Sequence, residues 1–281
     1  MARRAPLPPW RLAPIAGELS AECAGTMILI LFGAGVVAQV VAGGIGDHDS
    51  IAWAWGIGVT LGVYVSARLS GGHINPAVTV ALAVFQGFPR RKVAPYVLAQ
   101  TVGAFTGALL VRWNYSEVLA AFDPGHTIKS QLVFSTLPGN GTLPVGLWGG
   151  FRDQIIGTAI LLFVILALTD LRNMPPMAGL TPVVIGLLVV AIGMAWGTDA
   201  GYAINPARDF GPRLAQYLTG YGGAWRDQYG GLYFWVPIAG PLLGGLAGAA
   251  LYHLLIGCHL PPQAGRGAEG AGREPERDAT P

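Results

Sequence analysis

A chain of 281 residues that is 52% hydrophobic and only 11% charged is not an ordinary soluble globule, whose charged share is about 25%. Its 42 glycines follow no Gly-X-Y period, which excludes a collagen-like rod, and the apolar bulk excludes disorder everywhere but the ends. The net charge of +2 gathers into no basic stripe interleaved with aromatics, so nucleic acid is excluded as a partner. Cys23 and Cys258 lie at opposite ends in apolar surroundings and make neither a disulfide framework nor a metal site. The composition is that of a membrane protein, and no cofactor is expected.

In chain order, residues 1–13 read as a basic tail holding Arg3, Arg4 and Arg11. A bilayer core of about 30 Å needs about 20 apolar residues per helix. Charge-free runs of that kind occupy 23–46, 50–67, 93–111, 154–169, 173–198 and 228–252, giving six spans. The first could instead be a signal peptide, but it exceeds the usual h-region of about 7–15 residues and lacks a clear small-x-small cleavage site. The long loop at 114–148 suggests a structured vestibule. The last residues, 257–281, read as a disordered tail, rich in Gly, Pro, Glu and Arg.

Orientation follows from the basic residues. Arg68, Arg90, Arg91, Lys92, Arg172 and the tail residues Arg266, Arg273 and Arg277 fall on the side of the N-terminal arginines. The opposite loops hold Asp47 and Asp49 and only Arg112, Lys129 and Arg152. Both termini are therefore expected to be cytoplasmic.

The chain also repeats itself. Gly71-Gly72-His73-Ile74-Asn75-Pro76-Ala77 returns as Gly201-Tyr202-Ala203-Ile204-Asn205-Pro206-Ala207, and Glu22 with Gly25-Thr26 is echoed by Gln154 with Gly157-Thr158. Gln100, Gly103 and Gly107 reappear as Pro241, Gly244 and Gly248. Each half holds three spans plus one Asn-Pro-Ala segment; three is odd, so the second half is inserted upside down, a pattern that places a permeation site near the midplane.

Pro76 to Phe85 gives only about 15 Å of helix at 1.5 Å per residue, half a bilayer. Asn before Pro reads as an N-cap with Pro at the first helical position. The glycine-rich lead-in must be non-helical, which at membrane depth is tolerated only inside protein or beside water. A single Asn-Pro-Ala could be a mere turn; two at matching repeat positions favour a pore. The two helix N-termini should then meet near the centre, each with roughly half a positive charge. Gly103 with Gly107 and Gly244 with Gly248 suit close helix crossing.

These motifs resemble the aquaporin superfamily, the major intrinsic proteins, over about residues 14–256. Asp209, directly after Asn205-Pro206-Ala207-Arg208, resembles the glycerol branch, the aquaglyceroporins and bacterial glycerol facilitators, as do Ala167-Leu168-Thr169-Asp170 and the extended 218–231 segment. The resemblance implies an all-α membrane fold of six transmembrane helices and two re-entrant half-helices in an inverted 3+3 repeat. The first repeat would cover 14–113, an extracellular loop 114–148, and the second repeat 149–256. It implies a selectivity filter of Trp55, Gly193, Tyr202 and Arg208, and a homotetramer in the cell membrane. Two positions depart from bacterial glycerol facilitators, which commonly have Phe at Tyr202 and Glu at Gln154. Glu22 alone then braces a re-entrant loop with a carboxylate.

In that reading Arg208, costly at membrane depth, offers fixed donors to hydroxyls. Trp55 and Tyr202 pack on the carbon backbone, and Gly193 leaves room for a polyol, with helix packing its rival role. Carbonyls of Gly71, Gly72, His73, Gly201, Tyr202 and Ala203 form a ladder that replaces hydration in steps. The His73 side chain braces the loop, and Asn75 and Asn205 donate at the centre, interrupting a proton wire. Asp209 acts as a local partner for the basic cluster. The function implied is passive diffusion of glycerol and similar small uncharged solutes with some water. A water-dominated channel and an ion- or proton-coupled transporter using Glu22, His73 or Asp209 are the alternatives. No nucleophile constellation or phosphate loop suggests an enzyme.

Overall fold

The computed structural model describes residues 14–262; the N-terminal arginines and most of the C-terminal tail lie outside that range. Six long apolar helices run as α1 (Pro14–Val41), α2 (His48–Ser70), α4 (Val93–Asn114), α7 (Leu147–Thr169), α8 (Thr181–Ala200) and α10 (Val236–Tyr252). Two short helices follow the Asn-Pro-Ala turns: α3 (Pro76–Phe85) and α9 (Pro206–Leu218). Between α4 and α7 the chain forms α5 (Ser116–Phe122), α6 (Ile128–Gln131) and a tight turn at Pro138–Gly141, so the long loop is structured.

Several helix limits differ from the charge-free runs, for physical reasons. Helix α1 begins well before residue 23 and contains both Glu18 and Glu22, because each acid is hydrogen-bonded inside the bundle. It ends at Val41, where Gly44 and Gly46 turn the chain with φ of 66° and 95°. Helix α7 likewise begins before its expected start and includes Arg152 and Asp153. The fifth span starts at Thr181 instead of 173, since Pro175 and Pro176 and the left-handed Ala178 and Gly179 cannot extend it backwards. The sixth starts at Val236 because Asp227 folds residues 227–231 into a turn, its carboxylate accepting from Tyr229 N and Gly231 N. Arg68 lies in the last turn of α2, not in a loop. A π-type turn, His253–Gly257, extends the last helix into the region expected to be tail.

The packing obeys the repeat. Helix α1 lies on α2 and α4, as α7 lies on α8 and α10; α9 docks against α4, as α3 docks against α10. Glycines permit the tightest crossings: a Cβ on Gly103 would enter the Cys23 backbone, and one on Gly244 would enter the Ile155 backbone. Gly107 and Gly248 make the next contacts, against Met27 and Ala159. With both crossings closed this way, α3 and α9 are left to fill the middle of the bundle, where their N-terminal ends touch.

Candidate functional site

Each re-entrant segment begins with an asparagine that caps its own half-helix. The Asn75 side-chain oxygen accepts from Ala77 N at 2.8 Å, and that of Asn205 from Ala207 N at 3.1 Å and Arg208 N at 3.2 Å. The amide nitrogens cross over: Asn75 Nδ2 donates to the Ile204 carbonyl at 2.9 Å and Asn205 Nδ2 to the Ile74 carbonyl at 2.8 Å. An amide NH2 has two protons, so each asparagine keeps one for whatever occupies the cavity that both line. The two half-helix tips are thereby tied to each other.

The loops before the caps follow unusual backbone paths. Ile74 and Ile204 sit at equivalent positions with φ of 43°, a left-handed conformation that a β-branched residue rarely adopts. Glu22 fixes the first loop, accepting from His73 N at 3.0 Å, Ile74 N at 2.7 Å, Ser70 Oγ at 2.5 Å and Gln100 Nε2 at 2.7 Å. Gln154 holds the second, accepting from Ile204 N at 2.9 Å and donating to the Ala200 carbonyl at 2.9 Å. The His73 ring meets Thr79 Oγ1 at 3.1 Å and packs between Phe88 and Tyr96, so it faces loop and helix.

A cavity of about 530 Å³ runs beside both loops. Val59 and Val63 of α2, Leu161 and Ile165 of α7, and Ile185 and Val189 of α8 give it an apolar wall. Gly71, Gly72, His73, Tyr202 and Ala203 of the loops line it as well, with the two asparagines. Trp55, Tyr202 and Arg208 line it together, and the Arg208 guanidinium carbon stands 3.9 Å from the centre of the Trp55 ring. Arg208 is 7% exposed, and among the described residues no carboxylate pairs with it; its one contact with a carbonyl, that of Phe134, is 3.5 Å long. A buried guanidinium with most of its donors unused can give them to hydroxyl oxygens. Among the described residues, the Tyr202 hydroxyl also lacks a partner.

Of the residues expected in the filter and the carbonyl ladder, two are not among those lining the cavity: Gly201 and Gly193. Gly193 instead admits the Tyr202 ring, since a Cβ there would lie 2.9 Å from its Cζ, and its carbonyl meets His48 Nε2 at 2.9 Å. The space that glycine leaves is therefore filled by Tyr202. Asp209 does not pair with Arg208. Its carboxylate takes Arg213 Nε at 2.7 Å, Thr136 N at 2.7 Å and Thr136 Oγ1 at 2.6 Å, and both members of the ion pair are fully buried. Arg213 also donates to the carbonyls of Ala224 and Thr136, which draws the α6–α7 loop over α9.

Four contributors escape sequence reasoning. Gly33 makes room for Trp55, whose ring a Cβ would enter; nothing in the sequence marks it. Phe134 and Thr136 arrive from the long loop, and only that loop's length hints at them. Arg213 could have been found from its i,i+4 spacing to Asp209.

A family model described as major intrinsic protein matches residues 10–252. The chain belongs to this family. Among the major intrinsic proteins, "Probable aquaglyceroporin-2" of Gibberella zeae is 44% identical over 246 residues, covering 84% of this chain and 71% of that one. The propanediol uptake facilitator PduF of Salmonella typhimurium is 41% identical over 256 residues, covering 87% and 95%. The X-ray structure of the aquaglyceroporin from Plasmodium falciparum matches with a TM-score of 0.78 at 31% identity, over 86% of this chain and 97% of the other. The inverted arrangement of six spans and two half-helices is thus that of a major intrinsic protein, a multi-pass membrane channel.

Proposed function

We propose that the chain is a passive channel for glycerol and similar small uncharged polyols, with some water, that excludes ions and protons. The observation that carries this reading is a cavity lined by apolar rings and by polar groups together. Trp55 and Tyr202 offer apolar ring surface, while Arg208 and the loop backbone offer donors and acceptors. Glycerol has the same division between C–H groups and hydroxyls. The resident groups that bind it are Arg208, the two asparagines and the loop carbonyls. None holds it strongly, because a ladder of partial replacements for hydration lets a solute leave as readily as it enters. The free amide proton on Asn75 and on Asn205, with the positive ends of α3 and α9, turns a passing water oxygen inward and repels cations.

The names of the relatives, an aquaglyceroporin and a propanediol uptake facilitator, support a polyol over water alone. The same reading takes the protein to be a homotetramer in the cell membrane with both termini cytoplasmic. The basic residues Arg68, Arg90, Arg91, Lys92 and Arg172 at one end of the bundle support that orientation.

Light scattering from liposomes holding the purified protein tests the proposal. Glycerol flux should follow its gradient linearly and exceed that of empty liposomes. Arg208→Ala and Tyr202→Phe should each change the ratio of glycerol to urea and water. Glycerol uptake equal to that of empty liposomes, beside clear water flow, would return the chain to the water-selective channels. Saturable uptake driven by a pH gradient would point to a coupled transporter.

A further inference from the structure

A second cavity, of about 320 Å³, opens on the outside of the bundle where α4 ends and the α4–α7 loop begins. Arg112, Trp113, Ser116, Ala120 and His126 line it, with Leu109 below. Arg112 Nη2 donates to the Thr219 carbonyl at 3.0 Å and meets His126 Nε2 at 3.2 Å. A guanidinium only donates, so the imidazole nitrogen accepts and shares none of the charge's cost. Behind them the Tyr221 ring stacks on His126 at 4.8 Å and lies 5.2 Å from the Arg112 guanidinium carbon. The nearby Asp123 carboxylate is taken up by Thr127 and Ser130. Among the described residues, no carboxylate pairs with Arg112.

The cationic pocket is also held in shape by strain. His126 has φ of 49°, left-handed for a non-glycine residue, and it lies over Gly220, where a Cβ would come within 2.8 Å of its ring. Below the pocket one face of α4 descends through Trp113, Leu109, Phe105, Val102 and Leu98, spaced by three or four residues. Trp113 is 77% exposed and Leu98 is 65% exposed, which in a bilayer is a surface for acyl chains with an aromatic at the interface.

We propose that this cavity binds the phosphate headgroup of an anionic phospholipid, with Arg112 as its counter-charge and the Trp113-to-Leu98 face of α4 as the bed for an acyl chain. An unpaired guanidinium at headgroup depth lacks the counter-charge that a phosphate supplies, and the apolar track below favours a lipid over free phosphate. The site is separate from the channel cavity and does not depend on what the channel conducts.

Native mass spectrometry of the full chain in detergent, titrated with dioleoyl phosphatidic acid or dioleoyl phosphatidylcholine, tests it; neither headgroup presents a polyol to the channel. Phosphatidic acid should be retained about fivefold better than phosphatidylcholine, the order expected for one basic side chain near a headgroup. Ala120→Glu, at an exposed position lining the pocket, should abolish that preference without touching the Arg112 hydrogen bonds. Arg112→Gln should abolish it too, and Arg112→Lys should keep it. Millimolar inorganic phosphate should leave it unchanged. Equal retention of the two lipids, or a preference that survives Ala120→Glu, overturns the proposal. Displacement by inorganic phosphate overturns the lipid in favour of a free anion.

Discussion

The two re-entrant halves reach closely similar backbone paths by different chemistry. In the first, the carboxylate of Glu22 receives four hydrogen bonds and the left-handed position two residues before the isoleucine is Gly72, with φ of 67°. In the second, an uncharged Gln154 accepts from a single amide, and the equivalent left-handed position is Tyr202, with φ of 36°. The first half is a scaffold anchored from behind by a charge. The second gives its permissive backbone position to a ring that faces the cavity, and its buried charge lies on the half-helix itself, in the Asp209–Arg213 pair that binds the outer loop. A loop can thus be held from the helix behind it or from the helix it leads into, and only the second scheme leaves room for a filter side chain.

Substitutions can break this contrast. Glu22→Ala should have the largest effect, about 3–5 kcal/mol of stability, because it strands the loop amides of His73 and Ile74 and takes one of two partners from Ser70 and from Gln100. Melting in detergent and loss of glycerol flux would report it. Gln154→Ala should cost less, about 1–3 kcal/mol, since only Ile204 N and the Ala200 carbonyl lose partners. Equal losses at the two sites would remove the distinction between the halves. Gln154→Glu sharpens the point. It creates the carboxylate seen in the first half but turns an acceptor against the Ala200 carbonyl, so it should lower the melting temperature instead of raising it. Gly72→Ala should cost about 1–2 kcal/mol through its left-handed φ.

The smallest effect is a pH dependence outside the spans. Hydrogen bonds from Arg172 to Asp170, with a further one from Tyr252, hold the Asp170 carboxyl well below the usual carboxylate range. A depressed folded value contributes stability above the unfolded value of about 3.9, lost as pH falls from there towards the folded one. Asp170→Asn should therefore lower the melting temperature modestly at neutral pH, where that contribution is fully present, and flatten the acid side of the melting curve below about pH 4.

The inverted architecture was legible because Asn75 and Asn205 recur in register and because Pro76 to Phe85 is too short to cross. Span limits were less so. A rule that stops at charges cannot see that Glu22 is satisfied inside the bundle, so it started α1 too late. Trp55, Tyr202 and Arg208 do come together, but through contacts no spacing encodes. Gly33 admits the indole, Gly193 admits the phenol, and Phe134 and Thr136 arrive from a loop with no repeat partner. The basic cluster expected around Asp209 resolves to Arg213, one helical turn along α9 and not the adjacent Arg208, because adjacency in sequence points around a helix and i,i+4 points along it.

The crossed asparagine bonds have a consequence for how the protein is made. The Ile74 carbonyl finds its partner only on residue 205, and the Asn75 amide only on residue 204. During synthesis the ribosome delivers the first of these groups long before the second. A half-made chain therefore holds a frayed, unsatisfied tip that no later adjustment within its own repeat can mend. The conduit closes in one step when the second tip docks, so truncation between the repeats should yield no half-channel, only a chain waiting for its other end.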